Sequence, residues 1–238
     1  FGFLALEVLW TRMFMQVLEN SVYTFAGILV IVLVCLALGA AISSGLARLR
    51  TPTVYVLAVL LMISGLAVAV TPFVFMLATD QMQILATDAS WAGYVGMVFG
   101  KALLTIGPPA LALGAVFPFL MKAEEKFLRS AGHSLGRLAA INTAGAILGS
   151  LLCGFVLLGT LGMWGTMLLL AAIYLLAVLI LPMPWRGSGV ATRIAAVIVL
   201  LVVVVWLNPT GLPLVSTDPM RNYEETVLEV WETSAGTV

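Results

Sequence analysis

One run of residues constrains the fold of this chain more than any other: residues 138–185 contain no Asp, Glu, Lys or Arg over 48 positions. A membrane-spanning helix needs about 20 consecutive apolar residues, so the run has room for two such helices. The chain as a whole is 62% hydrophobic and 9% charged, as is typical of proteins with several membrane helices. The sequence therefore predicts an all-α polytopic membrane protein.

The segment 142–150 near the start of this run has a pattern of small residues, Asn-Thr-Ala-Gly-Ala-Ile-Leu-Gly-Ser. Gly145 and Gly149 lie four positions apart, and small residues at this spacing allow two helices to approach closely in lipid. Asn142 comes about one turn earlier, and its amide needs a partner in apolar surroundings. We predict a helix-packing face at Gly145, Gly149 and Gly154. Asn142 either makes an interhelical hydrogen bond or lines a cavity.

About seven membrane helices are predicted from apolar runs that alternate with charged or proline-rich breaks. The first is represented only by its end, in residues 1–9, and we expect it to begin before Phe1. The other six are predicted at residues 20–47, 53–78, 91–121, 138–158, 163–181 and 195–207. We assign residues 1–208 to the membrane domain, because acidic side chains gather in residues 209–238 and change the character of the chain there.

The fourth predicted helix is unusual because Lys101 interrupts it and Gly107, Pro108 and Pro109 follow. Proline lacks the backbone N–H and clashes with the preceding turn, so we predict a kink or break near residue 107. A break of this kind is either structural or the mark of a substrate site near the middle of the membrane. Two half-helices instead of one span would also change the number of crossings.

Basic residues are distributed unevenly among the loops. Eight of the eleven follow the second, fourth and sixth helices: Arg48, Arg50, Lys122, Lys126, Arg129, Arg137, Arg186 and Arg193. Loops rich in Lys and Arg face the cytoplasm, so the end of the seventh helix faces outward if the fourth helix crosses once. The net charge of zero gives no basic patch for nucleic acid.

Ionisable side chains in or beside the apolar helices are candidates for a substrate path. Glu7 and Arg12 either line such a path or lie at the level of the lipid headgroups. Lys101 either pairs with Glu7 across the bundle or extends its side chain to the interface. Asn142 is the fourth candidate.

The two cysteines lie in apolar runs without a metal-binding spacing, and we assign no metal site and no catalytic residue in this chain.

Several motifs occur in order along the chain: Glu7-Val-Leu-Trp-Thr-Arg12, Leu-Ala-Leu-Gly39, Phe117-Pro118, Gly136-Arg137, the segment 142–150, Gly154-Phe155 and Leu161-Gly162. Together they resemble the membrane half of bacterial fused spermidine synthase-like proteins, which is often described as similar to the major facilitator superfamily. The resemblance covers about residues 1–182. The closing residues, Val230-Trp-Glu232-Thr-Ser-Ala-Gly-Thr237-Val238, resemble the opening strand of the synthase-like domain.

The resemblance implies a multi-pass protein of the bacterial inner membrane with a catalytic domain after Val238. That domain would have a Rossmann-like fold, bind an S-adenosylmethionine-type nucleotide and transfer an aminopropyl group to a polyamine. Residues 209–238 would then be a linker and the first strand of this β-containing soluble domain. The chain contains no glycine-rich nucleotide-binding fingerprint, so no cofactor is assigned within it. Glu232 is the one residue placed at the edge of the implied domain.

Three functions are therefore expected. The first is the membrane domain of a fused, membrane-anchored spermidine synthase-like protein. The second is a transporter of a small amine or metabolite. The third is a structural helical subunit that docks into a larger membrane complex, or forms a homo-oligomer, through its glycine-rich faces. In all three the lipid bilayer surrounds the chain.

Overall fold

The computed structural model describes residues 1–18, 22–82, 90–125 and 131–213, and this part of the chain is helical, without a strand. It contains seven α-helices and one π-helical turn, which lies between α5 and α6. Their bounds are α1 Gly2–Phe14, α2 Val22–Leu46, α3 Thr53–Ala78, α4 Trp91–Glu125, α5 Ala131–Leu152, the π-helical turn Cys153–Leu157, α6 Leu158–Ile180 and α7 Ser188–Val205. A 3₁₀ turn at Pro209–Gly211 follows α7. The expected first strand and Glu232 lie outside the described residues.

Within the described residues, five helical segments are long and apolar enough to cross a membrane: Thr24–Leu46, Thr53–Ala78, Trp91–Met121, Gly136–Ile180 and Ser188–Gly211. The chain is thus compatible with a multi-pass helical membrane protein, as its composition predicts. Helix α1 is not among the five, because its 13 residues extend only about 20 Å at 1.5 Å per residue. The hydrocarbon core of a bilayer is about 30 Å thick.

The outer surface of the bundle is apolar. On α7, Ile198, Leu201 and Val205 are exposed, and on α5 Ile147 and Leu148 are exposed as well. Contiguous exposed apolar surface on this scale is unusual for a water-soluble monomer and marks contact with lipid or protein. The inside of the bundle is close-packed by side chains of the same kind, as expected when lipid and core are equally apolar.

Helix α1 is the shortest α-helix in the described part of the chain, and one of its faces is completely buried. One side of it carries Ala5, Leu6, Leu9, Trp10 and Met13, none of which is exposed at all. These residues recur at intervals of three and four, so they form one face of the helix. That face joins the main core, which also includes residues of α2, α3, α4 and α6. A short helix is therefore held in place by packing rather than by its own length.

Helices α2 and α4 approach each other closely where Gly39 lies against Gly114. A Cβ atom added at Gly39 would overlap the carbonyl oxygen of Leu111 and would lie 2.9 Å from the backbone nitrogen of Ala115. One added at Gly114 would lie 2.8 Å from Cα of Leu36. The two backbones touch because neither glycine has a side chain, which is how helices associate in lipid.

The break that we predicted near Gly107, Pro108 and Pro109 does not occur, because α4 continues without interruption from Trp91 to Glu125. The alternative, a kink at these residues, stays a prediction. The prolines leave the carbonyls of the preceding turn without their usual helical donors. Membrane helices tolerate such prolines when neighbouring helices hold the backbone. Here α2 packs along α4 more extensively than any other pair of helices in the described part of the chain, and Gly107 faces Cys35 of α2.

The boundary between α5 and α6 differs from the prediction. The helix of the fifth span begins at Ala131 rather than at residue 138, and it continues through the π-helical turn. Only Gly162 leaves the helical conformation, with φ 70° and ψ 177°. Glycine adopts a positive φ at little cost, so Gly162 makes the turn between the fifth and sixth predicted helices, and Gly159 and Gly165 remain helical.

Helix α7 begins at Ser188, seven residues earlier than predicted, so Arg193 belongs to the helix and not to the loop before it. The side chain of Arg193 is buried and folds back over the end of α6. Its guanidinium donates hydrogen bonds to the carbonyl oxygens of Leu179 (3.5 Å), Leu181 (3.0 Å), Met183 (2.9 Å) and Pro184 (3.2 Å). Arg193 therefore caps a helix end whose last carbonyls have no helical partner.

Candidate functional site

The second face of α1 lines an open groove. Its residues recur at helical spacing, and those with polar groups are Glu7, Thr11 and Arg12; Leu4, Val8 and Met15 are the apolar ones. The groove has a volume of about 390 Å³, which is within the range of about 300–1,000 Å³ for small-molecule sites. The buried face fixes the helix in the core, so it also fixes the direction in which the polar face points.

The opposite wall of the groove comes from α2 and from the π-helical turn. Phe25 of α2, Gly154 of the turn and Leu158 at the start of α6 complete the lining. π-Helical turns are rare and are frequently found at functional sites. A Cβ added at Gly154 would find only Val8 within reach, with its Cγ1 at 4.0 Å. Gly154 thus leaves space in the groove and is not needed for a close backbone contact.

The two charged groups of the groove differ in their surroundings. Glu7 is half-buried, and its carboxylate makes no hydrogen bond or ion pair with any residue that the structure describes. Arg12 already interacts with another group of the chain. Desolvating a carboxylate is costly unless a partner compensates for it, and Glu7 is the charged group of this groove without a partner among the described residues.

Lys101 lies elsewhere, so its predicted pairing with Glu7 is wrong. Its ammonium donates a hydrogen bond to the carbonyl oxygen of Ala78, the last residue of α3. A cation at the C-terminal end of a helix is stabilised by the unpaired carbonyls and by the helix dipole. The other predicted behaviour, an extended side chain that reaches the end of the bundle, agrees with this position.

The Asn142 segment contributes packing and no side chain to the groove. Gly145 and Gly149 face the start of α1: an added Cβ would lie 3.2 Å from the Phe1 nitrogen at Gly145 and would overlap the Phe1 carbonyl oxygen at Gly149. Asn142 is exposed on α5, and its side chain makes no hydrogen bond in the described ranges. The structure therefore brings together Glu7, Arg12 and Gly154, and leaves Lys101 and Asn142 apart from them.

Several site features could not be anticipated from the motifs. Phe25 joins the groove only because α2 packs beside α1, and Thr11, one helical turn after Glu7, was not singled out. Arg193 was counted among the loop residues together with Arg186, because both arginines follow Pro184-Trp185 closely and the sequence does not show the partner of either. Its Cζ lies 4.2 Å from the centre of the Trp185 ring, a cation–π distance.

Among the residues described, no group of His, Cys, Asp or Glu could hold a metal ion.

The groove is thus an amphipathic pocket with one unpaired carboxylate in a bundle of apolar helices. It can bind a small molecule that carries a positive charge and an apolar part. No protein-family model matches the chain, and comparison with curated proteins and with solved structures gives no match either.

Proposed function

We propose that this chain is the membrane domain of a fused spermidine synthase-like protein of the bacterial inner membrane. The observation that supports the proposal is the way the residues of the resembling motif divide between core and groove. Trp10 is fully buried, whereas Glu7, Thr11 and Arg12 line the groove. The charged residues of this segment therefore lie on the side of α1 that faces away from the core and lines the groove.

The proposal includes about seven crossings, with α1 as part of the first. The segment Gly136–Ile180 has 45 residues, and a straight helix of that length would measure about 68 Å at 1.5 Å per residue. That is about twice the thickness of the hydrocarbon core. The turn at Gly162 divides the segment near its middle, which favours two crossings in place of one.

The catalytic part of the proposal concerns the sequence from residue 209 onward. Residues 209–238 would link the bundle to a soluble domain that binds an S-adenosylmethionine-type nucleotide, with Glu232 near its substrate edge. The acidic site of that domain would hold a cationic amine, and a general base would deprotonate it before transfer. The bundle would anchor this reaction at the membrane.

The test is aminopropyl transfer by the complete gene product. We expect membranes that contain it to transfer the aminopropyl group of decarboxylated S-adenosylmethionine to putrescine, with Glu7→Gln retaining the rate within about twofold because the groove is in another domain. A gene without a glycine-rich nucleotide-binding domain after Val238, or purified protein without transferase activity, would contradict the proposal.

A second function, transport of a small amine or metabolite, is favoured by the unpaired carboxylate of Glu7 in the groove. Uptake of radiolabelled putrescine by cells that express the protein distinguishes the two functions. For a transporter we expect Glu7→Gln to lower uptake by about tenfold or more, because a charge-assisted hydrogen bond is lost. Lys101→Met is the matched control, since Lys101 lies outside the groove. Equal uptake by all variants and by empty cells would reject transport.

A further inference from the structure

We infer that the groove between α1, α2 and the π-helical turn binds a primary alkylammonium ion, with the ammonium on Glu7. The inference deepens the transport proposal by naming the ligand class, and it holds for binding alone even if the ligand is never carried across the membrane. Three independent features support it: the unpaired carboxylate, the volume of the groove and the placement of its apolar walls.

The charge of the ligand follows from the two charged groups of the groove. Arg12 already has an interaction in the chain, whereas Glu7 has none in the described part. An anionic ligand would therefore compete for an arginine that is in use and would bring its charge close to a carboxylate. A cation compensates Glu7 directly, and a charge-assisted hydrogen bond of this kind is among the stronger polar interactions.

A primary ammonium fits better than a quaternary one because of its donors. The –NH₃⁺ group has three N–H donors. Glu7 and Thr11 lie four positions apart on the same wall, so a carboxylate and a hydroxyl oxygen are both within one helical turn. A quaternary ammonium has no N–H and would use neither as a hydrogen-bond acceptor.

The remaining lining explains the alkyl part. Leu4, Val8, Phe25 and Leu158 supply the apolar walls beside the polar strip of α1. An alkyl chain laid along them would remove apolar surface from water on both molecules, which is favourable in proportion to the area buried. Gly154 leaves the space for this chain, since nothing except Val8 lies near the position of an added Cβ.

The probe for the test is n-hexylammonium, with n-hexanol as its neutral analogue. We would measure binding of the radiolabelled compounds to the complete chain in phosphatidylcholine nanodiscs. We expect hexylammonium to bind at least about tenfold more tightly than hexanol, and Glu7→Gln to abolish this preference. Equal binding of the two compounds to the wild-type protein, or a preference that survives in Glu7→Gln, would overturn the inference.

Two variants of one residue test the position of the alkyl chain. Gly154→Ala adds a methyl group that fits at 4.0 Å from Val8, so we expect hexylammonium binding to change by less than about threefold. Gly154→Leu fills the groove and should abolish binding while Glu7 is retained. If Gly154→Leu does not fold, the comparison of hexylammonium with hexanol on wild type and Glu7→Gln still tests whether the ammonium binds at Glu7.

A lipid headgroup is the other source of an ammonium. Nanodiscs that contain phosphatidylethanolamine distinguish the two sources, because its headgroup also carries –NH₃⁺. We expect hexylammonium to bind equally well with and without this lipid. Competition by phosphatidylethanolamine that disappears in Glu7→Gln would assign the groove to the lipid and would contradict a free amine. Binding of hexylammonium without uptake in cells would support the inference and reject transport.

Discussion

Gly39→Ala is expected to lower the free energy of unfolding by about 3 kcal/mol, near the upper end of the usual cost of overpacking. The new methyl group would meet the carbonyl oxygen of Leu111 and the backbone nitrogen of Ala115. Backbone atoms cannot rotate away as a side chain can, so α2 and α4 would have to separate. The whole interface between the two helices would then lose contacts.

The matched control is Gly45→Ala on the same helix, where an added Cβ meets nothing within 4 Å. Alanine has the higher helix propensity, so this variant should be as stable as the wild type or more stable by up to about 1 kcal/mol. Titration with SDS in mixed micelles, followed by circular dichroism, measures both variants. Equal stabilities of Gly39→Ala and Gly45→Ala would show that α2 and α4 do not touch at Gly39.

Arg193→Met is expected to have the second largest effect, a loss of about 3 kcal/mol of unfolding free energy. Four carbonyl oxygens accept hydrogen bonds from this guanidinium: that of Leu179 in the last turn of α6 and those of Leu181, Met183 and Pro184 just after the helix. Each hydrogen bond to a charged group contributes about 1.5–3 kcal/mol, and of these four carbonyl oxygens Leu181 also accepts a hydrogen bond from the backbone N–H of Met183. Near the membrane surface, water can partly replace the guanidinium as a hydrogen-bond donor, so the total loss of unfolding free energy is smaller than the sum over the four hydrogen bonds.

Arg193→Lys should lose an intermediate amount, because one ammonium has three donors and no planar fork to reach several carbonyls at once. Arg186→Met serves as the control, since Arg186 is exposed and should change the stability by less than about 0.5 kcal/mol. The midpoint of thermal unfolding in detergent orders the three variants. A stable Arg193→Met variant would mean that the end of α6 is held by other contacts.

The helices themselves were largely predictable from the sequence. Helix α3 was predicted at residues 53–78 and is observed at Thr53–Ala78, because a proline precedes its first residue and polar residues follow its last. Helix α7 was placed seven residues too late, since a lone Arg193 was taken for the end of a loop. An arginine that caps a neighbouring helix looks the same in the sequence as one that faces water.

Packing was less predictable, because close contacts depend on which faces meet. Gly145 and Gly149 have the recognisable four-residue spacing, and the structure places them against Phe1. Gly39 and Gly114 also form a close contact, although each belongs to a different helix and neither has a glycine four positions away. A pair of this kind becomes visible only when the two helices are brought together.

The candidate site was predictable in part. Glu7 and Arg12 were singled out because ionisable residues are rare in apolar helices, and both line the groove. Lys101 was singled out for the same reason, but its partner is a carbonyl at the end of α3. A hydrogen bond from a side chain to the backbone cannot be predicted from the sequence. The division of α1 into a buried face and an open face can be predicted, because the residues of each face recur at helical spacing.

The central claim is that α1 buries one face in the core and opens the other to a groove that accepts a cation. Accessibility of introduced cysteines tests it most directly, because native Cys35 and Cys153 are buried and should react slowly. With a small cationic methanethiosulfonate reagent, we expect Thr11→Cys to be labelled at least about tenfold faster than Met13→Cys, and n-hexylammonium to slow only the former. Equal labelling of the two positions, or labelling of Thr11→Cys that hexylammonium does not affect, would contradict the account.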